Sequence, residues 1–134
     1  MKISKTILNK LLKKAKEAFK NSYSPYSQYR VAAAVLAKSG KIYGGTNIEN
    51  ASYGLSMCAE RVAIFSAIAN GAKKIKAVAI WTSKGNTTPC GACRQVIAEF
   101  SNNADIIYNT KDNTVKIEKI SSLLPKSFNK KSIK

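Results

Sequence analysis

Apolar side chains recur at spacings of three and four over the first twenty residues, with lysines between them. These apolar positions are Ile3, Ile7, Leu8, Leu11, Leu12, Ala15, Ala18 and Phe19. Because this is the period of one face of an α-helix, the pattern predicts one amphipathic helix. The helix is expected to end before the Ser/Pro-rich segment 21–27, NSYSPYS.

The rest of the chain alternates short apolar runs with turn-forming residues. Two runs around Lys38-Ser39-Gly40 predict a β-hairpin, which the long polar loop TNIENASYGLSM follows. The remaining predicted elements, in chain order, are a mostly buried helix from Cys58 to Asn70-Gly71, a strand over 75–81, a mostly buried helix over 90–100, strands over 105–108 and 114–120, and a helical turn at the start of SSLLPKSF. The lysine-rich tail, residues 129–134, is predicted to be mobile.

The predicted order of elements is α-β-β-α-β-α-β-β-α, without repeats, low-complexity blocks or linkers. A length of 134 residues suits one domain with its own core and is short for two. The hairpin requires antiparallel pairing, whereas β-α-β units require parallel pairing. We therefore predict a single α/β domain over residues 1–134, built on a mixed sheet.

Charge narrows the range of partners without selecting one. The formal net charge of +16 invites nucleic-acid binding through counterion release. However, 20 of the 23 basic residues are lysines scattered along the chain, and arginine is the residue favoured for bidentate phosphate and base contacts. A solvated basic surface is therefore the favoured interpretation, ahead of a nucleic-acid site and of a membrane-surface role for the first helix.

The length of the apolar runs also indicates where in the cell the protein is expected to be found. None approaches the roughly 18 residues of a membrane-spanning helix. The N-terminal segment has lysines throughout, so it lacks the apolar centre and cleavage site of a signal peptide. These features predict a cytoplasmic protein, in which cysteines stay reduced and serve metal binding or catalysis more often than disulfides.

Three cysteines, without any histidine, provide the candidate chemistry. Cys90 and Cys93 stand in the first turn of one predicted helix, and Cys58 starts another, where helix N-termini favour the metal-binding thiolate. A redox-active Cys-x-x-Cys pair would not need Cys58, and structural zinc takes four Cys or His ligands where this chain offers three. The three thiols therefore favour a catalytic zinc with an open fourth position.

Glu60 stands two residues after Cys58 and directly before Arg61. A glutamate in the first turn of a helix is ordinary, but its place between a zinc ligand and the apolar run VAIFSAIA makes Glu60 a candidate general acid/base. Zinc with three thiolates carries a net charge of −1. Arg61, directly after Glu60, and Arg94, directly after Cys93, are candidates to offset that charge, although either could be an ordinary surface residue.

The chain resembles the zinc-dependent cytidine deaminases in their short, three-cysteine, homotetrameric form, whose signature includes Pro-Cys-x-x-Cys. The segments that carry the resemblance are YSPYSQYRVAAAVL, GKIYGGTNIENASYG, CAERVAIFSAI, PCGACRQVIAEF and LLPKSF, in the family's order. It implies a three-layer α/β/α sandwich with a mixed five-stranded sheet, and hydrolytic deamination of cytidine and deoxycytidine, a pyrimidine-salvage step, by a zinc-activated hydroxide. One Zn²⁺ per chain would be held by Cys58, Cys90 and Cys93, and Glu60 would shuttle protons.

The resemblance assigns further residues to the substrate. Arg61 matches the arginine that neutralises the thiolates, and the Ala59 backbone matches a contact to the base. Asn47 and Glu49 match the residues that hold the ribose hydroxyls. Tyr29 stands where the family usually has a phenylalanine stacked on the base, so its hydroxyl needs a partner or solvent, unless Tyr29 is plain core packing.

Two more aromatic residues match parts of the family's site that reach a neighbouring subunit. They are Tyr53, in the polar loop, and Phe128 of LLPKSF. Ordinary apolar burial explains either of them equally well from sequence alone. A homotetramer whose sites are completed by neighbouring subunits is thus an implication of the resemblance only.

Three alternatives remain open. Deaminases of blasticidin-type antibiotics share the zinc motifs but differ at the NIEN segment. Deaminases of bases within RNA or DNA typically carry a histidine in the first motif and extra elements for the strand. A non-catalytic, zinc-stabilised nucleic-acid-binding module is the third, and the presence of Glu60 with only three ligands weighs against it.

Overall fold

The computed structural model describes residues 3–133. In chain order the helices and strands are α1 (Lys5–Phe19), β1 (Val31–Ala37), β2 (Ile42–Thr46), α2 (Ala59–Ala69), β3 (Ile75–Thr82), α3 (Gly91–Glu99), β4 (Asp105–Asn109), β5 (Val115–Lys119) and α4 (Ile120–Leu123). The predicted order and type of elements are confirmed, and their boundaries differ by no more than two residues.

The five strands form one mixed sheet in the order β2-β1-β3-β4-β5. β1 pairs antiparallel with both β2 and β3, β3 pairs parallel with β4, and β5 pairs antiparallel with β4 at the far edge. The predicted mixed sheet is therefore confirmed. Within residues 3–133, only one β-α-β unit, β3-α3-β4, produces adjacent parallel strands, because β1 lies between β2 and β3.

Helices cover both faces of the sheet. On one face, Leu11 and Ala15 of α1 pack against small residues of the central strands. On the other, Ile64 of α2 and Ile97 of α3 belong to the larger apolar cluster. Successive residues of β1 alternate between the two clusters, as the period of a strand requires, and all of β1 is buried. The three-layer α/β/α sandwich is confirmed.

Gly45 allows α2 to lie directly on β2. A Cβ at this position would lie 2.5 Å from the backbone nitrogen of Ala63 and 3.0 Å from the carbonyl oxygen of Ala59. Because Ala59 is the first residue of α2, this close approach determines where the N-terminus of the helix meets the sheet. The same helix end carries Cys58 and Glu60.

The lysine-rich tail forms a short 3-10 helix over Lys130–Ile133 with exposed side chains. Its mobility and the single-domain assignment over residues 1–134 stay predictions, and Lys134 lies outside the described residues. Across residues 3–133, every helix is too short or too polar to cross a membrane.

Candidate metal centre and active site

Cys58, Cys90 and Cys93 form one group, here called the three-thiol cluster, at the N-termini of α2 and α3. Their sulfur atoms all lie within 4.8 Å of one another, and the Cys58 and Cys90 Sγ atoms are 3.8 Å apart. Sulfur atoms placed tetrahedrally at about 2.3 Å from zinc lie about 3.8 Å from each other. The three-thiol cluster therefore has the size needed to fill three of the four tetrahedral positions around one zinc ion.

Helix capping explains how the sequence brings these sulfurs together. Cys58 and Cys90 are the N-cap residues of α2 and α3, and each has an extended backbone that turns the chain into the helix. The Cys90 sulfur accepts a hydrogen bond from the Cys93 backbone N–H at 3.4 Å. Both helix N-termini thus direct their partial positive charge at the three-thiol cluster, which favours thiolates.

Arg61 adds positive charge to the three-thiol cluster. Its Nη2 lies 3.3 Å from the Cys58 Sγ. A hydrogen bond from the Cys93 thiol, together with Arg61, lowers the pKa of Cys58 to about 5 against the opposing effect of burial. The same hydrogen bond and burial raise the pKa of Cys93, which retains its proton. The thiolate form of Cys58 is thus favoured at neutral pH before any metal binds.

Arg94 does not share this role. Its Nε and Nη1 donate to the carbonyl oxygens of Pro89 and Leu123 at 2.7 and 2.8 Å, and its Nη2 donates to Thr88 Oγ1 at 3.1 Å. These bonds tie the loop before Cys90 to the end of α4. Arg94 therefore holds a ligand-bearing loop in place, a role that its position beside Cys93 in the sequence did not indicate.

Glu60 lies beside the three-thiol cluster, in the first turn of α2, and is 4% exposed. Burial raises the pKa of its carboxyl to about 7, and the Cys58 thiolate adds to the shift. A carboxyl with a pKa near neutrality can both donate and accept a proton, as a general acid/base must. A divalent cation in the cluster would attract the carboxylate and lower this pKa again.

One cavity of about 290 Å³ joins the predicted metal and substrate residues. Cys58, Cys90 and Glu60 line it together with four of the six candidate substrate residues, Tyr29, Asn47, Glu49 and Ala59. Cys93, the third thiol, is fully buried and is not among the residues that line this cavity. The structure therefore brings together residues that are up to 61 positions apart in the sequence, from Tyr29 to Cys90.

Asn47 and Glu49 also hold the loop that leads into β1. The Asn47 amide accepts from the Val31 backbone N–H at 3.0 Å and donates to the Tyr29 carbonyl oxygen at 2.7 Å. The Glu49 carboxylate accepts from the Ser27 hydroxyl and from the backbone N–H groups of Tyr26 and Ser27. The hydrogen bond from the Ser27 hydroxyl is the main reason why the pKa of Glu49 lies below its ordinary value.

Tyr53 and Phe128 lie outside this cavity. They are 75% and 60% exposed, so neither is buried in the core of its own chain. Tyr53 makes an edge contact with Tyr26, and both line a neighbouring cavity of about 370 Å³ that Glu49 shares. The interpretation of Tyr53 and Phe128 as ordinary buried residues is therefore wrong, while their contact with a neighbouring subunit stays a prediction.

Fold and site together define the class. A three-layer sandwich carries Cys58-Ala59-Glu60 and Pro89-Cys90-x-x-Cys93 at two helix N-termini, which is the three-cysteine variant of the zinc deaminase signature. Residues 5–110 match the model of the cytidine and deoxycytidylate deaminase zinc-binding region. The chain belongs to this family, and zinc is its cofactor.

Known relatives agree with this assignment over nearly the whole chain. A cytidine deaminase of Sporosarcina psychrophila is 42% identical over 94% of both chains, and that of Halalkalibacterium halodurans is 44% identical over 88% of this chain and 91% of its own. The solved structure of cytidine deaminase from Burkholderia pseudomallei, 40% identical, superposes with a TM-score of 0.84 and covers 90% of this chain and 98% of its own.

Proposed function

We propose that this protein hydrolytically deaminates cytidine and deoxycytidine, releasing uridine or deoxyuridine and ammonia. The observation that carries the proposal is the burial of Glu60 beside the three-thiol cluster, in a cavity that also holds polar groups suited to a sugar. The cavity volume of about 290 Å³ is at the lower end of the range for small-molecule sites.

The chain's own residues supply positioning and proton transfer. Zinc, held by Cys58, Cys90 and Cys93, supplies the activation of a water molecule as nucleophile. Glu60, which lines the same cavity, would accept one proton from that water as its oxygen bonds to the ring carbon, and would pass this proton to the ring nitrogen. It would then accept the proton of the new C–OH group and pass it to the amine as the carbon–nitrogen bond breaks and ammonia leaves. Ala59, the first residue of α2, has a backbone N–H without an intrahelical acceptor, so this group can bind the base.

Asn47 and Glu49 are proposed to bind the ribose hydroxyls. Both line the cavity, and the Glu49 carboxylate, whose pKa lies below its ordinary value, is charged at neutral pH and is therefore a strong acceptor. A sugar hydroxyl can bind Glu49 beside the Ser27 hydroxyl or replace it, because a carboxylate offers about four acceptor positions. Tyr29 forms the adjoining wall, where an aromatic ring can stack on the base.

The proposal extends to assembly and location. A homotetramer in which Tyr53 and Phe128 reach a neighbouring subunit's site accounts for two large, exposed aromatic side chains. A reducing cytoplasm suits three free cysteines that serve as metal ligands. We expect a small-molecule nucleoside as substrate and no nucleic-acid partner.

Absorbance-monitored turnover of cytidine and deoxycytidine, with zinc measured on the same sample, tests the proposal. Conversion to uridine with about one zinc per chain is the expected result. Zinc without turnover of either nucleoside would contradict the proposed substrate and direct assays to RNA and to blasticidin-type antibiotics. Salt-dependent binding of an oligonucleotide without any deamination would support the non-catalytic alternative instead.

A further inference from the structure

Two hydroxyl groups from loops far apart in the sequence, those of Tyr29 and Thr87, lie in contact on the wall of the 290 Å³ cavity. The Tyr29 hydroxyl and the Thr87 Oγ1 share a hydrogen bond, and both residues line the cavity. Tyr29 belongs to the loop before β1, and Thr87 to the loop between β3 and α3 that leads to Cys90. This contact, here called the Tyr29–Thr87 pair, joins the substrate side of the cavity to its metal side.

The backbone bonds of Tyr29 do not by themselves set the position of its ring. Its backbone is held by Asn47, which donates to the Tyr29 carbonyl at 2.7 Å, and by Ser27, whose Oγ accepts from the Tyr29 N–H at 3.0 Å. Neither bond restrains rotation of the side chain, and Tyr29 is 37% exposed. The phenol oxygen is therefore the point at which the far end of the ring is fixed.

Thr87 can serve as an anchor because its own loop is tied to the sheet. Thr82, at the end of β3, is fully buried, and its Oγ1 accepts from the Gly85 N–H at 2.8 Å and lies 3.4 Å from Thr87 Oγ1. The Asn109 side chain bonds the Thr82 backbone N–H and C=O, and the Asn86 N–H donates to the Asn109 carbonyl at 2.6 Å. The loop thus holds the Thr87 hydroxyl at a set distance from the sheet.

We propose that Thr87 is a positioning residue for the nucleoside, acting through Tyr29. It holds the tyrosine ring in the orientation that a pyrimidine base stacks on, so that the ring is ordered before substrate arrives. Tyr29 contacts the base similarly in the ground state and the transition state, so loss of the pair raises KM and leaves kcat nearly unchanged. This inference rests on the proposed nucleoside deaminase function.

Zinc-loaded enzyme with substitutions at both ends of the pair tests the inference. Thr87→Val removes the hydroxyl at nearly constant volume, and Tyr29→Phe removes the other one. Each is expected to raise KM for cytidine about threefold to tenfold, the range that one hydrogen bond accounts for, with kcat within about twofold of wild type. The double variant is expected to show no larger increase than either single one, because all three lack the same bond.

Two further variants separate positioning from general effects on the fold. Thr87→Ser keeps a hydroxyl and should restore the wild-type KM. Thr114→Val removes one hydroxyl of another paired threonine, bonded to Thr110 in the turn between β4 and β5, and should leave KM and kcat unchanged. KM values of Thr87→Val and Tyr29→Phe equal to wild type, or increases that add in the double variant, would overturn the inference.

The same assay distinguishes failure of this inference from failure of the proposed function. Wild-type enzyme that deaminates cytidine while the Thr87→Val KM is unchanged overturns the positioning role alone. Wild-type enzyme with zinc that deaminates neither cytidine nor deoxycytidine overturns the proposed function, and the role of Thr87 in nucleoside binding with it.

Discussion

Side chains in this site serve two purposes at once, one in shaping the protein and one in chemistry. Cys90 caps α3 through its sulfur and is also one of the three thiols proposed to hold zinc. Glu49 faces the cavity and also binds the loop that contains Ser27. Arg61 offsets thiolate charge from 3.3 Å. Substitution of Cys90 or Glu49 therefore changes structure and chemistry together, and an informative experiment has to separate the two.

Glu60 permits such a separation. We expect Glu60→Gln, which keeps the shape of the side chain, to retain about one zinc per chain and to lose more than about 10²-fold in kcat, since general acid/base transfer contributes about 10²- to 10⁴-fold. Zinc content and turnover measured on one preparation check this result. Glu99→Gln, an exposed change at the end of α3, is the control and should keep full turnover. Substantial turnover by Glu60→Gln would remove Glu60 from the mechanism.

Cys90→Ala should affect metal and stability together. Ligand loss weakens zinc binding, and zinc that binds only the folded state contributes to the free energy of unfolding. We expect less than one zinc per chain and a lower Tm than zinc-loaded wild type, and the addition of a chelator should lower the wild-type Tm while changing the variant's little. A Cys90→Ala protein that keeps a full zinc equivalent would refute the ligand assignment.

Motif spacing was sufficient to predict that the three thiols come together with Glu60 beside them, and insufficient for their supporting contacts. The spacing of Cys90 and Cys93 on one helix start is a local property, so the sequence displays it directly. The Tyr29–Thr87 pair joins two loops 58 residues apart, and Arg94 bonds a carbonyl 29 residues away. Such contacts depend on how helices and strands pack, which no local pattern contains.

The elements themselves were predictable because their patterns are strong and their ends are marked. The amphipathic period of α1 and the Asn-Gly stop after α2 are both visible in the sequence. Strand order is a different matter. Nothing in the alternation of apolar residues shows that β1 lies between β2 and β3, because that order depends on the pairing of β1 with β3, which follows α2 in the chain.

Gly45 provides a test of how closely α2 packs on that sheet. We expect Gly45→Ala to destabilise the protein by at least about 1–3 kcal/mol, the usual cost of overpacking, because its Cβ would lie 2.5 Å from a backbone nitrogen of α2. Denaturant unfolding of the zinc-loaded proteins measures the loss. Gly54→Ala is the matched control, since a Cβ there meets nothing within 4 Å. Equal stability of the two variants would contradict the close packing.

The high positive net charge of the chain opposes its assembly into the proposed homotetramer. The chain carries a net charge of +16, and within residues 3–133 one ion pair, between Lys119 and Asp105, is formed at 2.8 Å. Such a surface keeps copies of the chain apart. The proposed homotetramer must therefore gain more from burying exposed apolar groups, such as Tyr53 and Phe128, than it loses by repulsion between like charges.

This balance predicts an unusual dependence of assembly on salt. The Debye length falls from about 20 Å near 0.02 M salt to about 4–5 Å near 0.5 M, so repulsion between like-charged subunits is screened while apolar burial is not weakened. We expect the tetramer to dissociate more readily at the lower salt concentration, as measured by sedimentation velocity over a range of protein concentrations. Tyr53→Ala should weaken the tetramer at both concentrations without lowering subunit stability, because Tyr53 is exposed within its own chain. A tetramer that dissociates as salt is added would instead show that ion pairs between subunits hold it together, and would contradict an interface stabilised by apolar contacts.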